Sequence, residues 1–335
     1  MLSTSKPFPV LVTGGAGYIG SHAVLALLDA GWTVSVIDNL VTGFRWAVDP
    51  RARFHEGDIA DGALVDRIIA EDDIGAILHF AGSVVVPESV ENPLKYYRNN
   101  TANSRVLIDC AVRGGVRHFI FSSTAATYGV PDQTPIREDM PTAPINPYGM
   151  SKLMTEVMLR DVAAAHSINY CALRYFNVAG ADPLGRAGQS TAGATHLIKV
   201  AVEAATGKRP DVAIFGTDYA TPDGTGVRDY IHVSDLADAH LHALGALIAA
   251  PATSHVLNCG YGRGFSVLEV LDAVDRVTNQ TIVRRLHARR AGDPDALIAD
   301  NSRILAATPW RPRHADLDTI VSHALAWERA LAERV

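Results

Sequence analysis

Apolar and polar positions change period several times along this 335-residue chain, and each change marks an element. V-L-V-T at 10–13 is a short apolar run between proline and glycine, the pattern of a buried strand. An apolar helix follows through Ala30, then a second strand, T-V-S-V-I-D at 33–38, and a third near Arg53–His55. Leu64–Ala70 reads as a helix, A-I-L-H-F at 76–80 as a fourth strand, and Pro87–Arg113 as one long helix. H-F-I-F-S-S at 118–123 is strand again, a helix opens at Pro147, and N-Y-C-A-L-R at 169–174 is strand. Strands alternating with helices imply right-handed crossovers, hence an α/β fold with a doubly wound parallel sheet.

After about Phe176 the rhythm breaks. A Gly- and Pro-rich stretch at 179–188 precedes a helix near Ala194–Ala205, and T-D-Y-A-T-P-D-G-T-G at 217–226 is a loop. D-Y-I-H-V and the helix Ser234–Ile248 read as a return to the first domain. Residues 1–176 with about 228–258 are therefore expected to form a nucleotide-binding domain. About 177–227 with 259–335 would form a smaller mixed α/β C-terminal substrate lobe.

Composition narrows the partners. The chain is 48% hydrophobic and 20% charged, with net charge -6, which argues against nucleic acid or a polybasic membrane surface. Cys110, Cys171 and Cys259 lie far apart without a C-x-x-C pattern and read as reduced, buried thiols. No secretory signal or membrane-spanning stretch is evident, so the cytoplasm is expected. His240 and His242 face different sides of a predicted helix, and His232 precedes it on a strand, so no metal site is expected.

T-G-G-A-G-Y-I-G at 13–20 follows a strand and opens a helix. Gly15, Gly17 and Gly20 satisfy G-x-G-x-x-G, and Gly14, Gly17 and Gly20 give a wider spacing. Small residues there let the backbone approach a pyrophosphate seated on the helix N-terminus. Asp38, ending the second strand, suits the hydroxyls of an adenosine ribose and would repel a 2′-phosphate, so NAD is favoured over NADP. Arg45 reads as an exposed arginine.

In I-N-P-Y-G-M-S-K, Tyr148 and Lys152 are four apart and share a helix face. Asn146 suits the N-cap and Pro147 the first helical position, placing Tyr148 in the first turn. The positive end of the helix and the lysine charge are expected to favour the phenolate, which suits a general base. Ser122–Thr124 supplies hydroxyls at a strand end ahead of this helix.

T-G-G-A-G-Y-I-G, D-N-L, G-D-I, F-S-S-T, Y-G-M-S-K, L-R-Y-F-N and G-V-R-D-Y-I-H-V together resemble the extended short-chain dehydrogenase/reductases. Within them the chain is most similar to the UDP-hexose 4-epimerases, and the resemblance spans nearly its whole length. It implies a Rossmann-type fold and epimerisation through a transient 4-keto sugar. It implies Tyr148 as the base, with Lys152 holding the nicotinamide ribose and lowering the tyrosine pKa. Thr124 would hydrogen-bond the sugar hydroxyl. Cofactor contacts are implied for Gly14, Gly17, Tyr18, Ile19, Gly20, Asp38, Asn39, Asp58, Ile59, Phe80, Ala81, Asn99, Ser122 and Phe176. Asn99 and Asn100 are poor mid-helix residues, consistent with a polar task.

For the UDP-sugar the resemblance points to Asn177, Leu197, Phe215, Arg228, Arg290 and Asp293. Arginine suits a diphosphate because its fork donates two parallel hydrogen bonds. Arg284, Arg285 and Arg289 read instead as a solvated basic face. Val84 stands where some relatives carry Lys, and Leu297 where residue size bears on admitting a 2-acetamido sugar. A homodimer through the helices at 87–113 and 147–165 is implied as well.

Rival activities remain on the same scaffold. A 4,6-dehydratase needs extra carboxyls, and Ala125 and Ala126 follow Thr124 instead. Epimerisation of UDP-N-acetylglucosamine or UDP-glucuronate is an alternative, and Arg186 could meet a uronate carboxylate. A non-catalytic NAD-sensing regulator could have discarded Tyr148 or Lys152, yet this chain has both with Thr124.

Overall fold

The structure, a computed structural model, describes residues 7–290 and 293–332. The chain runs β1 (Val10–Thr13), α1 (Tyr18–Asp29), β2 (Val34–Asp38), β3 (Arg53–Glu56), α2 (Gly62–Glu71) and β4 (Ala76–His79). Then come α3 (Val86–Glu91), α4 (Pro93–Tyr96), α5 (Asn103–Arg113), β5 (His118–Thr124), α6 (Pro147–Ala165) and β6 (Asn169–Tyr175). The remainder is β7 (Asn177–Ala179), α7 (Leu197–Ala205), β8 (Val212–Phe215), β9 (Val227–His232), α8 (Val233–Ala249) and β10 (His255–Cys259). It closes with β11 (Gly264–Ser266), α9 (Val267–Thr278), β12 (Arg284–His287), β13 (Ala296–Leu297), α10 (Ser302–Ala307) and α11 (Leu317–Ala332).

Seven parallel strands form the main sheet, in the order β10-β6-β5-β4-β1-β2-β3. The expected Rossmann-type sheet is present, and strand order reverses beside β1. A crevice opens there at the carboxyl ends of the strands, where such sheets take ligands. Both faces are covered, so the central strands are largely apolar and split by parity, whereas the edge strand β3 is polar and partly exposed. Val10 and Val12 pack with Val24, Leu236 and Leu244. Leu11 turns to the other face, with Val65, Leu107, Phe119 and Leu159. A third core, including Val202, Val270, Val274 and Ile320, joins α7, α9 and α11.

Two expectations need correcting. The helix read as continuous over 87–113 is broken at Asn92, whose side chain caps Lys95 at 3.3 Å, because Pro93 cannot donate to the preceding turn. It then widens into a π-helical stretch at Tyr97–Ala102 before α5. The segment read as returning to the first domain at about 228 instead enters a small sheet. There β9 pairs with β7, β11 and β13, while α8, β10 and α10 pack onto the main body. We retain the two-lobe division as a proposal, with its second crossing at the β9–α8 junction. Among the described residues no helix is long and apolar enough to cross a membrane.

Candidate active site

The glycine loop joins β1 to α1. Gly17 caps α1 in an extended conformation without a side-chain hydrogen bond, so the first amides of the helix are left for a ligand. Gly14 has φ +70°, and a Cβ there would lie 2.7 Å from the Ala81 nitrogen. A Cβ on Gly20 would lie 2.1 Å from the Gly14 carbonyl oxygen. Asp38 stands at the end of the neighbouring β2. Its carboxylate accepts the Ala16 N–H at 3.0 Å and the Leu40 N–H at 2.8 Å. Burial raises its pKa against the pull of those two amides. Each oxygen keeps a free acceptor position for a ribose hydroxyl.

Other expected cofactor residues ring this crevice. Asn39 donates to Asp58 at 2.9 Å, fixing two polar side chains at the ends of β2 and β3. Ile59 is buried beside them in the second core. Phe80, next to Ala81, packs on the His240 ring at 4.7 Å. Asn99 donates to the Ser83 hydroxyl at 3.1 Å. Tyr18 is committed elsewhere, since its hydroxyl donates to the Gly180 carbonyl at 2.7 Å. Phe176 lies in a small apolar group with Ala125, Tyr128, Ile136 and Ala299.

Thr124 ends β5, and Tyr148 and Lys152 come from the first turns of α6. Asn146 caps that helix by accepting the Gly149 N–H at 2.9 Å, with Pro147 at its first position. Tyr148 is buried, and the Thr124 side chain is close enough to act on its phenol. Lys152 is buried too, and its Nζ donates to the Ser122 carbonyl at 3.0 Å while lying 5.0 Å from the Phe121 ring centre. The Ser122 hydroxyl pairs with that of Tyr175. Here a sequence expectation is corrected. Burial raises the Tyr148 pKa, and the Thr124 hydrogen bond only partly offsets it, so the polypeptide alone does not favour the phenolate. Burial also lowers the Lys152 pKa, to about 8.

The expected UDP-sugar residues fall into separate groups. Asn177 and Leu197 line one cleft between β7 and α7, together with Gln189, His196 and Tyr230. Arg290 lies 4.7 Å over the Phe215 ring and pairs with Asp293 at 3.0 Å. Arg228 donates to the Val227 and Pro294 carbonyls, and its Cα partner across β13 is Leu297.

Against this geometry, residues 10–260 match the profile of the NAD dependent epimerase/dehydratase family. The chain belongs to that family. It is 56% identical to the UDP-glucose 4-epimerase of Azospirillum brasilense over 97% of this chain and 93% of that protein. Its fold is similar to the UDP-glucose 4-epimerase from Brucella ovis in complex with NAD, at TM-score 0.92 and 44% identity, covering 95% and 98% of the two chains. The enzyme from Bifidobacterium longum, in complex with NAD+ and UDP, gives TM-score 0.90 at 39% identity, covering 96% and 98%.

NAD fits the cradle of this epimerase/dehydratase family member. Gly14 and Gly20 occupy positions a Cβ would block, α1 offers uncapped amides, and Asp38 has acceptors to spare. Several basic residues have other duties. Arg186 pairs with Asp182 and Asp29, so it is not free for a uronate carboxylate. Arg45 lies 4.4 Å over the Phe54 ring, while Val84 is exposed. Arg284 and Arg285 pair with Asp275 and Asp211, and Arg289 pairs with Asp295 while lying 3.8 Å over Tyr219. These are ion-paired surface residues, not simply a solvated basic face.

The sequence reading passed over Gln189, His196 and the buried pair Glu156–Arg174. Gln189 and His196 bond each other at 2.8 Å, seven positions apart across a turn no periodicity marks. His232 meets His323 at 3.0 Å, a contact spanning both ends of the second lobe. Among the described residues no group of three or more His, Cys, Asp or Glu is arranged to hold a metal.

Proposed function

We infer that this protein is an NAD-dependent 4-epimerase of UDP-hexoses, interconverting UDP-glucose and UDP-galactose. The observation that carries the reading is the meeting of Thr124, Tyr148 and Lys152 at the carboxyl end of β5, beside the glycine cradle. The relatives support it, being UDP-glucose 4-epimerases aligned over nearly the full chain.

NAD, held by the glycine cradle and Asp38, would supply a reversible hydride acceptor for C4 of the sugar. Tyr148 takes the proton from the 4-hydroxyl and later gives it back to the opposite epimer. Thr124 orients that hydroxyl through its own. Lys152, anchored by the Ser122 carbonyl one helical turn on from Tyr148, would hold the nicotinamide ribose and bring a positive charge to the phenolate. Asn177 and Leu197 on one side, with Phe215, Arg228, Arg290 and Asp293 on the other, would grip the UDP portion. A firm grip on the nucleotide leaves the 4-keto sugar free to turn over and present its other face.

The dehydratase rival lacks a free acid. Glu156 is spent on Arg174, and Glu138 accepts the Asn258 N–H at 2.8 Å and faces Arg303. We further propose a cytoplasmic homodimer. Met154 and Val157 on α6 and Leu94 on α4 are exposed, and a groove between Arg105 and Met158 runs along the same side. Sedimentation of the purified protein tests the dimer. The activity is tested by offering UDP-galactose, UDP-N-acetylgalactosamine and UDP-glucuronate side by side, with the cofactor content of the protein measured. Turnover of UDP-galactose with NAD bound is the expected result, and bound NAD without turnover of any sugar supports the regulator instead.

A further inference from the structure

His79 is fully buried at the end of β4 and takes no part in the chemistry above. Its hydrogen bonds have only one consistent arrangement. The Ser104 hydroxyl donates to the Asn100 carbonyl at 2.6 Å, so toward His79 Nε2, 2.8 Å away, it can only accept. Nε2 therefore carries the proton and Nδ1 is the acceptor. Thr13 donates to Nδ1 at 2.7 Å and itself accepts the Ala81 N–H at 3.3 Å.

The two ends of this chain of bonds lie at the two halves of the site. Thr13 immediately precedes Gly14, and Ala81 is the residue against which Gly14 packs. Asn100 sits in the π-helical stretch, where the widened turn leaves its carbonyl to side chains, and Thr155 of α6 donates to it at 2.9 Å. The Asn100 amide spans Ser83 and Ser151, and the Ser151 hydroxyl donates to the Tyr148 carbonyl at 2.8 Å.

We propose that His79 is a positioning residue, which through Ser104 and Asn100 holds the helix carrying Tyr148 and Lys152 in register with the strand end carrying the glycine loop. This rests on the reading of Tyr148 as the acid/base. A neutral imidazole is the side chain that fits, since from β4 it accepts from Thr13 of β1 at one nitrogen and donates to Ser104 of α5 at the other. Burial and the nearby Lys152 charge keep it neutral, lowering its pKa to about 3. A residue of similar bulk without the paired acceptor and donor would leave Thr13 and Ser104 unjoined.

The test compares wild type, His79→Leu, Ser104→Ala and the double variant, with Leu107→Ala as a control for a buried, non-polar loss on the same helix as Ser104. For each, kcat and KM for UDP-galactose, NAD retained after dialysis and the thermal midpoint are measured. Each single variant should lose about 10- to 100-fold in kcat, the scale of a slight misplacement of reacting groups, with KM nearly unchanged and less NAD retained. The double variant should be no worse than the poorer single one, because both cut the same path. Leu107→Ala should lower the midpoint while leaving kcat as it was. Additive losses, unchanged kcat, or a kcat that merely tracks the midpoint overturn the proposal. If His79→Leu does not fold, Ser104→Ala against Leu107→Ala makes the same distinction. A wild type inactive on every UDP-sugar overturns the epimerase reading instead, and NAD retention across the five proteins then decides the positioning role.

Discussion

The Tyr18 hydroxyl donates to the Gly180 carbonyl at 2.7 Å, joining the first turn of the nucleotide helix to the segment leading into the second lobe. Gly180 has φ +87° and lies against the His232 ring, so this one bond bears on the packing of both lobes. Tyr18→Phe leaves that carbonyl without its donor and should cost about 1–3 kcal/mol of stability. Urea denaturation followed by circular dichroism reads the change.

Tyr148→Phe keeps the buried ring and removes the oxygen proposed to move the proton. Activity should fall by about 10²- to 10⁴-fold, the usual share of general acid–base catalysis, while thermal melting stays close to wild type. Turnover like that of the wild type would remove Tyr148 from the mechanism.

The Lys152 ammonium titrates at about 8 in the fold, below its ordinary value of 10.5. Between those values the unfolded chain holds a proton that the folded chain has released, so stability should rise with pH across that window on account of this group. Activity should move the other way. It needs the cation, and kcat/KM should decline above about pH 8. Denaturation and initial rates measured over the same pH series separate the two trends.

Gly20→Ala should abolish retention of NAD, because its methyl would meet the Gly14 carbonyl at 2.1 Å and force the loop open. Absorbance of the purified protein at the nicotinamide and adenine bands measures the loss.

Arg174 forks onto Glu156 at 3.0 and 2.6 Å, and both are buried. Glu156→Gln strands a guanidinium charge in the core and should cost about 3–5 kcal/mol, read by chemical denaturation. Neither residue stood out in the sequence. Each looks ordinary alone, and only the pairing of β5 with β6 under α6 brings them together.

The parts legible in the chain are those whose cause is local. Glycines at 14, 17 and 20 have no side chain wherever they stand, and Asn146-Pro147 starts a helix from its own capping and fixed φ. Spacing four apart puts Tyr148 above Lys152 on any helix. Strand patterns between turn residues mark six of the seven main-sheet strands in chain order, while β10 (His255–Cys259) shows itself only where it pairs with β6.

What the tertiary structure decided is partnership and burial, which depend on residues far away. The π-helical stretch at Tyr97–Ala102 is supported by Ser104, Thr155 and His79 meeting the Asn100 carbonyl region. Arg186 was an available cation until Asp29, from the other lobe, claimed it. The helix start predicted a phenolate at Tyr148, but the fold buries that ring, and desolvation outweighs the Thr124 hydrogen bond. A sequence carries spacing and capping in itself, whereas solvent exclusion exists only once the chain has closed around a group.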